Sequence, residues 1–548
     1  MSSCPRGCIF IVLAMKKEVA DYLRKITGVS GLDLTFPEKD GFGHFSTNVA
    51  FGLSKEEDRS PMETAKSLAG GIIEADSGKF FEKVEAAEPG FINFWLNEDA
   101  ILGGLRRVLK EKDKYGRQKR QNKKIQVDFI SANPVGPLTM ANGRGGFFGD
   151  ALSRVLSFAG YDVTREYLVN DAGNQIKTLG LSMLSALGFV PPADWHYKGS
   201  YVGEVAKKLS PQIKKITGNG KKPAADEVGK LAAKTFLADI KRSVKVADIK
   251  FDTWTSEAKD IRGKHLVSKL LTDLKSKNFT TEHDGAIWLN KEIAGKKERV
   301  LVKTGGEPTY YFVDLANHRS KLEKFDEIID IWGSDHHGNV EPLKEGLKVL
   351  GLDAARLNVL LVQFVRLVKD GQAVKMSKRA GDYVTLDDLI ADVGRDAVRF
   401  FFLMITPTTH MDFDLGLAKE KSMKNPVYYV QYAHVRCGGI LGKVKSQKLK
   451  VKSNVLKNLN TKEDKKLILE LTKFPDMILE TANDYQVSRL AKYAVEIARA
   501  FHNFYEKERI AGEKNKDLAV ARLELVRATQ IVLGNLFDVL GISKPKKM

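Results

Sequence analysis

KIQVDFI (Lys124–Ile130), then SANPVGPLTMANGRGG (Ser131–Gly146), then GGFFGDALSRVLSF (Gly145–Phe158) and a further run from Tyr161 to about Val169 decide the fold of this 548-residue chain. The first piece reads as a strand. Pro134, Gly136 and Pro137 make the second a loop. The third has helical spacing and stops at Gly160, and the fourth is again a strand. Strand, glycine-rich loop, helix and strand form a βαβ unit, whose loop lies where phosphates bind at a helix N-terminus.

Working outward, a lysine-rich helical stretch from about Pro191 to Lys250 interrupts the alternation, with Lys207, Lys208, Lys214, Lys215, Lys221 and Lys222. Alternating character resumes with a strand Glu327–Trp332, a helix Val340–Leu350 and strands within Leu357–Val368. Upstream, Met15 to about Lys119 mixes short helices and strands, and Phe91–Leu96 alternates as a half-buried strand should. DKYGRQKRQNKK (Asp113–Lys124) reads as a linker. After about Leu415 the pattern is helical, with a basic linker carrying Lys443, Lys445, Lys448, Lys450 and Lys452. No internal repeat is present. The expected class is α/β: a Rossmann-type parallel-sheet domain over 120–415 with a basic insertion at about 191–290. A small α+β domain precedes it over 15–119, and an all-α domain follows over 416–548.

The 88 basic and 69 acidic residues leave a net charge of +19, which points to a polyanionic partner, nucleic acid before membrane. Cys4, Cys8 and Cys437 are too few and too scattered for a disulfide frame or a zinc site, so a reducing cytoplasm fits. No stretch reaches the roughly 20 apolar residues of a membrane span. CIFIVLAM (Cys8–Met15) resembles a short signal-peptide core but lacks a small-residue cleavage site and runs straight into an amphipathic helix. A start upstream of the native one at Met15 is the simpler account.

Two loops carry chemistry. Val374-Lys375-Met376-Ser377-Lys378-Arg379-Ala380-Gly381 packs three cations into five residues, flanked by Gly371 and Gly381. Such a loop spreads positive charge along a polyanion, as nucleotidyl transfer requires when charge builds on the phosphates; taken alone, it also fits a solvated basic turn. In the Ser131–Gly146 loop, Gly143, Gly145 and Gly146 permit close backbone approach and Thr139 and Asn142 offer donors, although a plain strand-to-helix turn has the same composition. Asp335-His336-His337 is no metal site, since adjacent histidines diverge and no further ligand shows the spacing. In the tail, Tyr428, Tyr429, Tyr432, His434 and Arg436 mix aromatic and basic groups, as suits unstacked bases, while Tyr428 and Tyr432 also have the spacing of a core face.

The paired loops resemble the signature of class I aminoacyl-tRNA synthetases. More narrowly, SANPVGPL with GRGGFFGD, REYLVNDAGNQI (Arg165–Ile176), PTYYFVDLANHR (Pro308–Arg319), DIWGSDHHG (Asp330–Gly338), VRLVKDGQAVKMSKRAG (Val365–Gly381), THMDFDL (Thr409–Leu415), NPVYYVQYAHVR (Asn425–Arg436) and the closing LGIS (Leu540–Ser543) resemble the arginyl-tRNA synthetase family. The resemblance implies an ATP-dependent ligase that joins L-arginine to tRNA(Arg) through an arginyl adenylate formed only with tRNA bound. It implies a cytoplasmic monomer with no membrane partner, using ATP and the Mg2+ that accompanies it, and no zinc. It places the guanidinium on Asp128 and Asp314 with Tyr310 beside them, and the α-amino and α-carboxylate groups on Asn133 and His336. ATP falls to Thr139, Ala141, Asn142, Gly143, Gly145, His337, Lys375, Met376, Ser377 and Lys378. Lys375, Lys378, Thr139 and Asn142 are the catalytic set. Tyr428, Tyr432, His434 and Arg436 fall in the anticodon-binding domain, and the 15–119 domain would approach the tRNA elbow.

One departure stands out. Where the family has His-x-Gly-His, this chain has Thr139-Met140-Ala141-Asn142. Thr139 and Asn142 can still donate hydrogen bonds, whereas the Ala141 methyl narrows the space for a nucleotide. A working variant and a nucleotide-dead tRNA-binding or regulatory relative both fit this loop. The complete KMSK loop favours the first.

Overall fold

A computed structural model describes residues 15–548 apart from 38, 40, 219–223, 291–297, 370–371, 374–383, 445–453 and 511. Cys4, Cys8, Lys221, Lys222, Lys445, Lys448, Lys450, Lys452 and the Val374–Gly381 loop with Lys375, Met376, Ser377 and Lys378 lie outside the described residues. The chain divides into two compact units, one made of Met1–Arg120, Phe158–Gly160 and Ser422–Met548, the other of Gln121–Ser157 and Tyr161–Lys421.

In the first unit, strands β1 (Phe45–Thr47), β2 (Phe81–Ala87) and β3 (Phe91–Leu96) form an antiparallel sheet in the order β1-β3-β2. The Pro61–Asp76 helix beside it starts where the sequence dictates: Ser60 and Glu63 close a reciprocal capping box, and Pro61 takes the first turn, where its missing N–H costs nothing. The tail contributes helices Pro426–Val444, Lys462–Thr472, Phe474–Asp484, Ser488–Lys507 and Lys516–Leu540. Their apolar stripes, among them Leu467, Leu471, Leu490, Ile497, Phe501, Leu533 and Phe537, are buried.

The second unit is built on five parallel strands: β4 (Lys124–Asp128), β5 (Asp162–Val169), β6 (Thr253–Ser256), and, after a small antiparallel sheet of β7 (Thr280–His283), β8 (Ala286–Leu289) and β9 (Arg299–Val302), β10 (Glu327–Gly333) and β11 (Leu357–Val362). The order is β11-β10-β4-β5-β6. A third sheet, of three strands, joins β12 (Val365–Lys369) to β13 (Gln372–Ala373) and β14 (Met411–Asp414). Helix Met140–Phe158 covers the face carrying Ile331, which lies 4.0 Å from where a Cβ on Gly145 would sit. The opposite face, with Ile328 and Leu357, packs against Phe312, Leu315 and Leu322 of helix Tyr310–Leu322. Burial on both faces suits Ile328, Ile329, Ile331 and Trp332 of β10, among which Glu327 and Asp330 are buried acids.

Two boundaries differ from the sequence expectation. Thr253–Ser256, inside the 191–290 span expected as insertion, is an edge strand of the main sheet, so the inserted helices Ser200–Thr217 and Ala225–Val246 return the chain to the sheet before β7. The helix expected from Gly145 starts five residues earlier, at Met140. The reason is local. Asn142 Oδ1 accepts from the Thr139 N–H at 2.9 Å and the Thr139 hydroxyl at 2.8 Å, and the Asn142 N–H returns a 3.3 Å bond to Thr139 Oγ1. That closed ring caps the helix upstream of the glycines. Gly143 and Gly146 serve packing inside the helix: an added Cβ would lie 2.5 Å from Leu386 Cδ1 or 2.7 Å from Ile130 Cδ1.

Candidate functional site

The strand order reverses between β4 and β10, with β5 and β6 on one side and β11 on the other. In an open parallel sheet the crevice beyond the carboxyl ends of two such strands is where ligands bind. Here those ends are Asp128 and Gly333. The loop after β4 carries Ser131 to Asn142, and the turn after β10 is the short helix Ser334–Asn339 with His336 and His337.

Register aligns three acids. Asp330 pairs with Asp128, and Asp128 with Glu166, so three carboxylates stand in one row on one face of the sheet. The helix Tyr310–Leu322 runs over that face. Thr309 caps it, with its hydroxyl oxygen accepting from Phe312 N–H, so Asp314 lies one turn inside the helix and is not its cap. Tyr310, Asp314, His318 and Lys321 share one helix face. That face passes from exposed Tyr310, 61% accessible, to buried Lys321.

Lys321 Nζ lies 2.7 Å from Asp128 Oδ2 and 2.5 Å from Glu166 Oε2, and His318 Nε2 lies 2.7 Å from Asp330 Oδ2. Burial opposes the Lys321 charge, but Asp128 and Glu166 outweigh it and hold the ammonium well above its ordinary range. His318 is likewise raised, burial being overcome by Asp330, and Asp330 is held low by His318 and Lys321 against its own burial. Burial pushes Asp128 up to about 6, with Lys321 opposing and Glu166 and Asp330 adding to the rise. Asp314 is also pushed up to about 6, first by burial and then by Asp330 and Glu257, while His318 and Lys321 pull the other way. Four carboxylates thus share one ammonium and one imidazole, and the Asp314 side chain has no hydrogen-bond partner among the described residues. The cluster carries more acid than base.

The β4 loop is held under backbone strain. Ile130 and Ser131 have φ of 66° and 36°, costly values for a β-branched and an ordinary side chain. Ser131 Oγ donates to Asp128 Oδ1 at 2.5 Å and accepts from Leu168 N–H at 2.9 Å, and Tyr167 donates to Ala132 O at 2.8 Å. Asn133, exposed, accepts from Asn170 Nδ2 at 3.0 Å.

Each expected site residue can now be placed. Asp314 is half-buried on the helix face it shares with Tyr310, whereas the carboxylate of Asp128 is occupied by Lys321 and Ser131. The Thr139 hydroxyl is spent on Asn142, which leaves the Asn142 amide Nδ2 as the side-chain donor of the pair. Ala141 is exposed on the first helical turn. His336 is exposed, with its ring edge-on to Trp332 at 6.5 Å, and His337 Nδ1 lies 3.1 Å from Ser334 O. Leu386 N–H donates to Leu138 O at 2.9 Å, and Met140 N–H to Val384 O at 3.3 Å. The described residue that follows the KMSK segment is therefore paired with the Thr139–Asn142 turn.

Sequence reasoning passed over Glu166, His318, Lys321 and Asp330. Spacing was the available signal: His318 and Lys321 follow Asp314 by four and seven residues, which puts them on its helix face.

In the other unit, Tyr428, Tyr432 and Arg436 line one face of helix Pro426–Val444. The tyrosine rings stack at 6.2 Å and 9°, Arg436 Nη1 donates to Tyr432 Oη at 3.3 Å, and the Arg436 guanidinium lies 4.1 Å from the Tyr505 ring centre. His434 is turned away, packed on Phe537 at 5.4 Å, and burial and Lys544 lower its pKa. Buried His502 lies 5.9 Å from the Tyr432 ring, and half-buried Tyr505 borders the same aromatic face.

Removal of the Asn142 donor separates its two uses. Asn142→Asp keeps the oxygen that caps the helix but places an acceptor where a phosphate would lie. Asn142→Ala loses both cap and donor, and a lost cap costs about 0.5–2 kcal/mol of stability. Both should slow adenylate formation by about 10²–10³-fold, and only Asn142→Ala should lower the melting temperature. ATP–pyrophosphate exchange and thermal unfolding check the two halves.

Three family models match the chain: "Arginyl tRNA synthetase N terminal domain" over 13–96, "tRNA synthetases class I (R), catalytic domain" over 104–186 and 207–401, and "DALR anticodon binding domain" over 430–548. The chain is 37% identical over 556 residues to the arginine–tRNA ligase of Caldanaerobacter subterraneus subsp. tengcongensis, covering 98% of this chain and 97% of the relative. It is 39% identical over 542 residues to that of Ruminiclostridium cellulolyticum, covering 95% and 94%. Among solved structures, Thermus thermophilus arginyl-tRNA synthetase superposes with a TM-score of 0.77 at 22% identity, covering 98% of this chain and 99% of that one, a likeness of fold. The switch-point crevice with its surplus of carboxylates, the helical tail and these near full-length similarities lead to one conclusion: the chain belongs to the arginyl-tRNA synthetase family of class I.

Proposed function

We propose that this protein ligates L-arginine to tRNA(Arg) at the expense of ATP. The observation that carries the reading is the surplus of carboxylates over cations in the cluster, where Asp314, one helix turn from exposed Tyr310, has no cation hydrogen-bonded to it among the described residues and a guanidinium supplies the missing charge. Asp314 takes the fork of the guanidinium and Tyr310 lies alongside. Asp128 acts one step back, through Lys321 and the row of acids. Asn133 and His336 hold the α-amino and α-carboxylate groups. The first turn of helix Met140–Phe158, with Asn142 and the glycines at 143 and 145, receives the ATP phosphates, where the helix dipole favours anions. Thr139 keeps that turn closed, Ala141 lies under the adenine, and His337 reaches the nucleotide from the β10 side. Lys375 and Lys378, with Met376 and Ser377, complete the phosphate site from the KMSK segment.

The arginine carboxylate attacks the α-phosphorus and pyrophosphate leaves; the terminal ribose hydroxyl of the tRNA then attacks the adenylate carbonyl and AMP leaves. The protein's part is positioning and charge stabilisation. Mg2+ accompanies ATP and keeps mostly water ligands. Near full-length similarity to arginine–tRNA ligases supports this reading over a nucleotide-dead one. Charging of total tRNA with labelled arginine, against a panel of the other amino acids, tests it; absence of arginine-specific charging by folded protein would reject it.

Tyr428, Tyr432 and Arg436, with Tyr505, provide a stacking face for unpaired anticodon bases. His434 supports that face from behind. The excess of 19 positive charges predicts that tRNA affinity falls steeply as salt rises, through release of counterions. A salt titration of tRNA binding checks this, and an affinity flat between 50 and 200 mM would contradict it.

A further inference from the structure

Arg144 follows the Thr139–Asn142 turn by two residues, is 1% accessible, and meets no carboxylate among the described residues. Its guanidinium donates only to backbone carbonyls. Nη1 donates to Gln363 O at 2.9 Å and more weakly to Phe364 O at 3.4 Å, and Nη2 donates to Thr406 O at 2.9 Å and Thr409 O at 2.8 Å. The contrast with Arg399 is direct, for that buried guanidinium donates to the Asp150 carboxylate. A buried cation without an anion is costly, and an apolar side chain would fill the space more cheaply. What Arg144 achieves, and an apolar residue could not, is to fasten two turns to the helix start.

Both turns belong to the sheet that flanks the KMSK segment. Gln363 and Phe364 join β11 to β12, and Thr406–Thr409 precede β14, which pairs with β12 in parallel. Gln363 N–H donates to Pro407 O at 2.8 Å and Met411 N–H to Phe364 O at 3.3 Å, so the turns are also tied to each other. On the far side of the same segment, Val384 and Leu386 are bonded to Met140 and Leu138. The start of helix Met140–Phe158 is thus attached to described residues on both sides of 374–383.

We propose that Arg144 is a positioning residue for ATP chemistry, a staple that sets the β12–β13 hairpin against the phosphate-binding turn. The arginine pocket, built from β4, β10 and helix Tyr310–Leu322, does not depend on it. The kinetic half of this inference rests on the ligase reading; the staple itself does not.

The test uses full-length Arg144→Met and Arg144→Lys. Hydrogen exchange at Gln363 and Met411 reads the staple directly and should quicken in Arg144→Met, with Arg144→Lys in between, since an ammonium has three donors to share among four carbonyls. With tRNA present, ATP–pyrophosphate exchange per folded molecule should fall about 100-fold in Arg144→Met, the scale of a small misplacement of reacting groups. The KM for arginine should stay within about twofold, and Arg144→Lys should recover roughly a tenth to a third of wild-type turnover, in proportion to the carbonyls it can still hold. If Arg144→Met does not fold, the same comparison is made with Arg144→Lys alone. Unchanged exchange at both amides would overturn the staple. Turnover within twofold of wild type, or arginine and ATP KM values rising by one common factor, would overturn its role in positioning ATP. An inactive wild type with quickened exchange would reject the ligase reading and leave the staple standing.

Discussion

Asp314→Asn should raise the KM for arginine and lower kcat/KM by a factor that corresponds to about 2–5 kcal/mol, the range for truncating one partner of a buried charge pair. The substitution keeps the shape of the side chain and removes its charge. Use of ATP at saturating arginine should change far less. A pH profile adds a second readout. Burial holds the Asp314 carboxyl at about 6 in the free protein, and only its ionised form attracts a guanidinium. Arginine affinity of the wild type should therefore weaken as pH falls through 6, and Asp314→Asn should flatten that part of the profile. An unchanged arginine KM would show that the guanidinium is bound elsewhere.

Lys321→Met should be the most destabilising single change, by about 3–5 kcal/mol, because it leaves Asp128 and Glu166 buried with no cation between them. The sign of its pH dependence follows from the same groups. Burial already raises the Asp128 carboxyl and Lys321 is the charge that opposes the rise, so without Lys321 the folded state binds more protons and the variant gains stability as pH falls. The gap to wild type should narrow between pH 8 and pH 5. Adding Asp128→Asn should restore part of the loss, which a double-mutant cycle would measure. Urea unfolding across that pH range checks both points, and a gap that widens on acidification would place the ammonium outside the cluster.

Much of the architecture was legible because local signals and burial agreed. The segments Lys124–Asp128, Asp162–Val169 and Glu327–Gly333, read as strands on either side of turns and helices, are strands. Two departures share one cause, which is that a tertiary or capping interaction outranked composition. Gly143, Gly145 and Gly146 suggested a loop, yet the Thr139–Asn142 ring starts the helix ahead of them. Asp128 was expected to face the substrate, yet Lys321, distant in sequence, reaches it first. His434 was grouped with Tyr432 by proximity along the chain, but two residues along a helix is a turn of about 200°, toward the opposite side. Arg144 lay in plain view within the quoted motif; only the four carbonyls around it, from segments more than 200 residues away, give it a role.

The row of acids across β5, β4 and β10 also bears on how the sheet assembles. A slip of one residue in either pairing would throw a carboxylate to the other face, against the glycines of helix Met140–Phe158, with neither Lys321 nor His318 to meet it. Such a mispaired sheet would hold unneutralised acid in its interior and would not persist. The substrate pocket thereby acts during folding as a proofreader of strand alignment, and a chain that passes the check emerges with its binding charges already aligned.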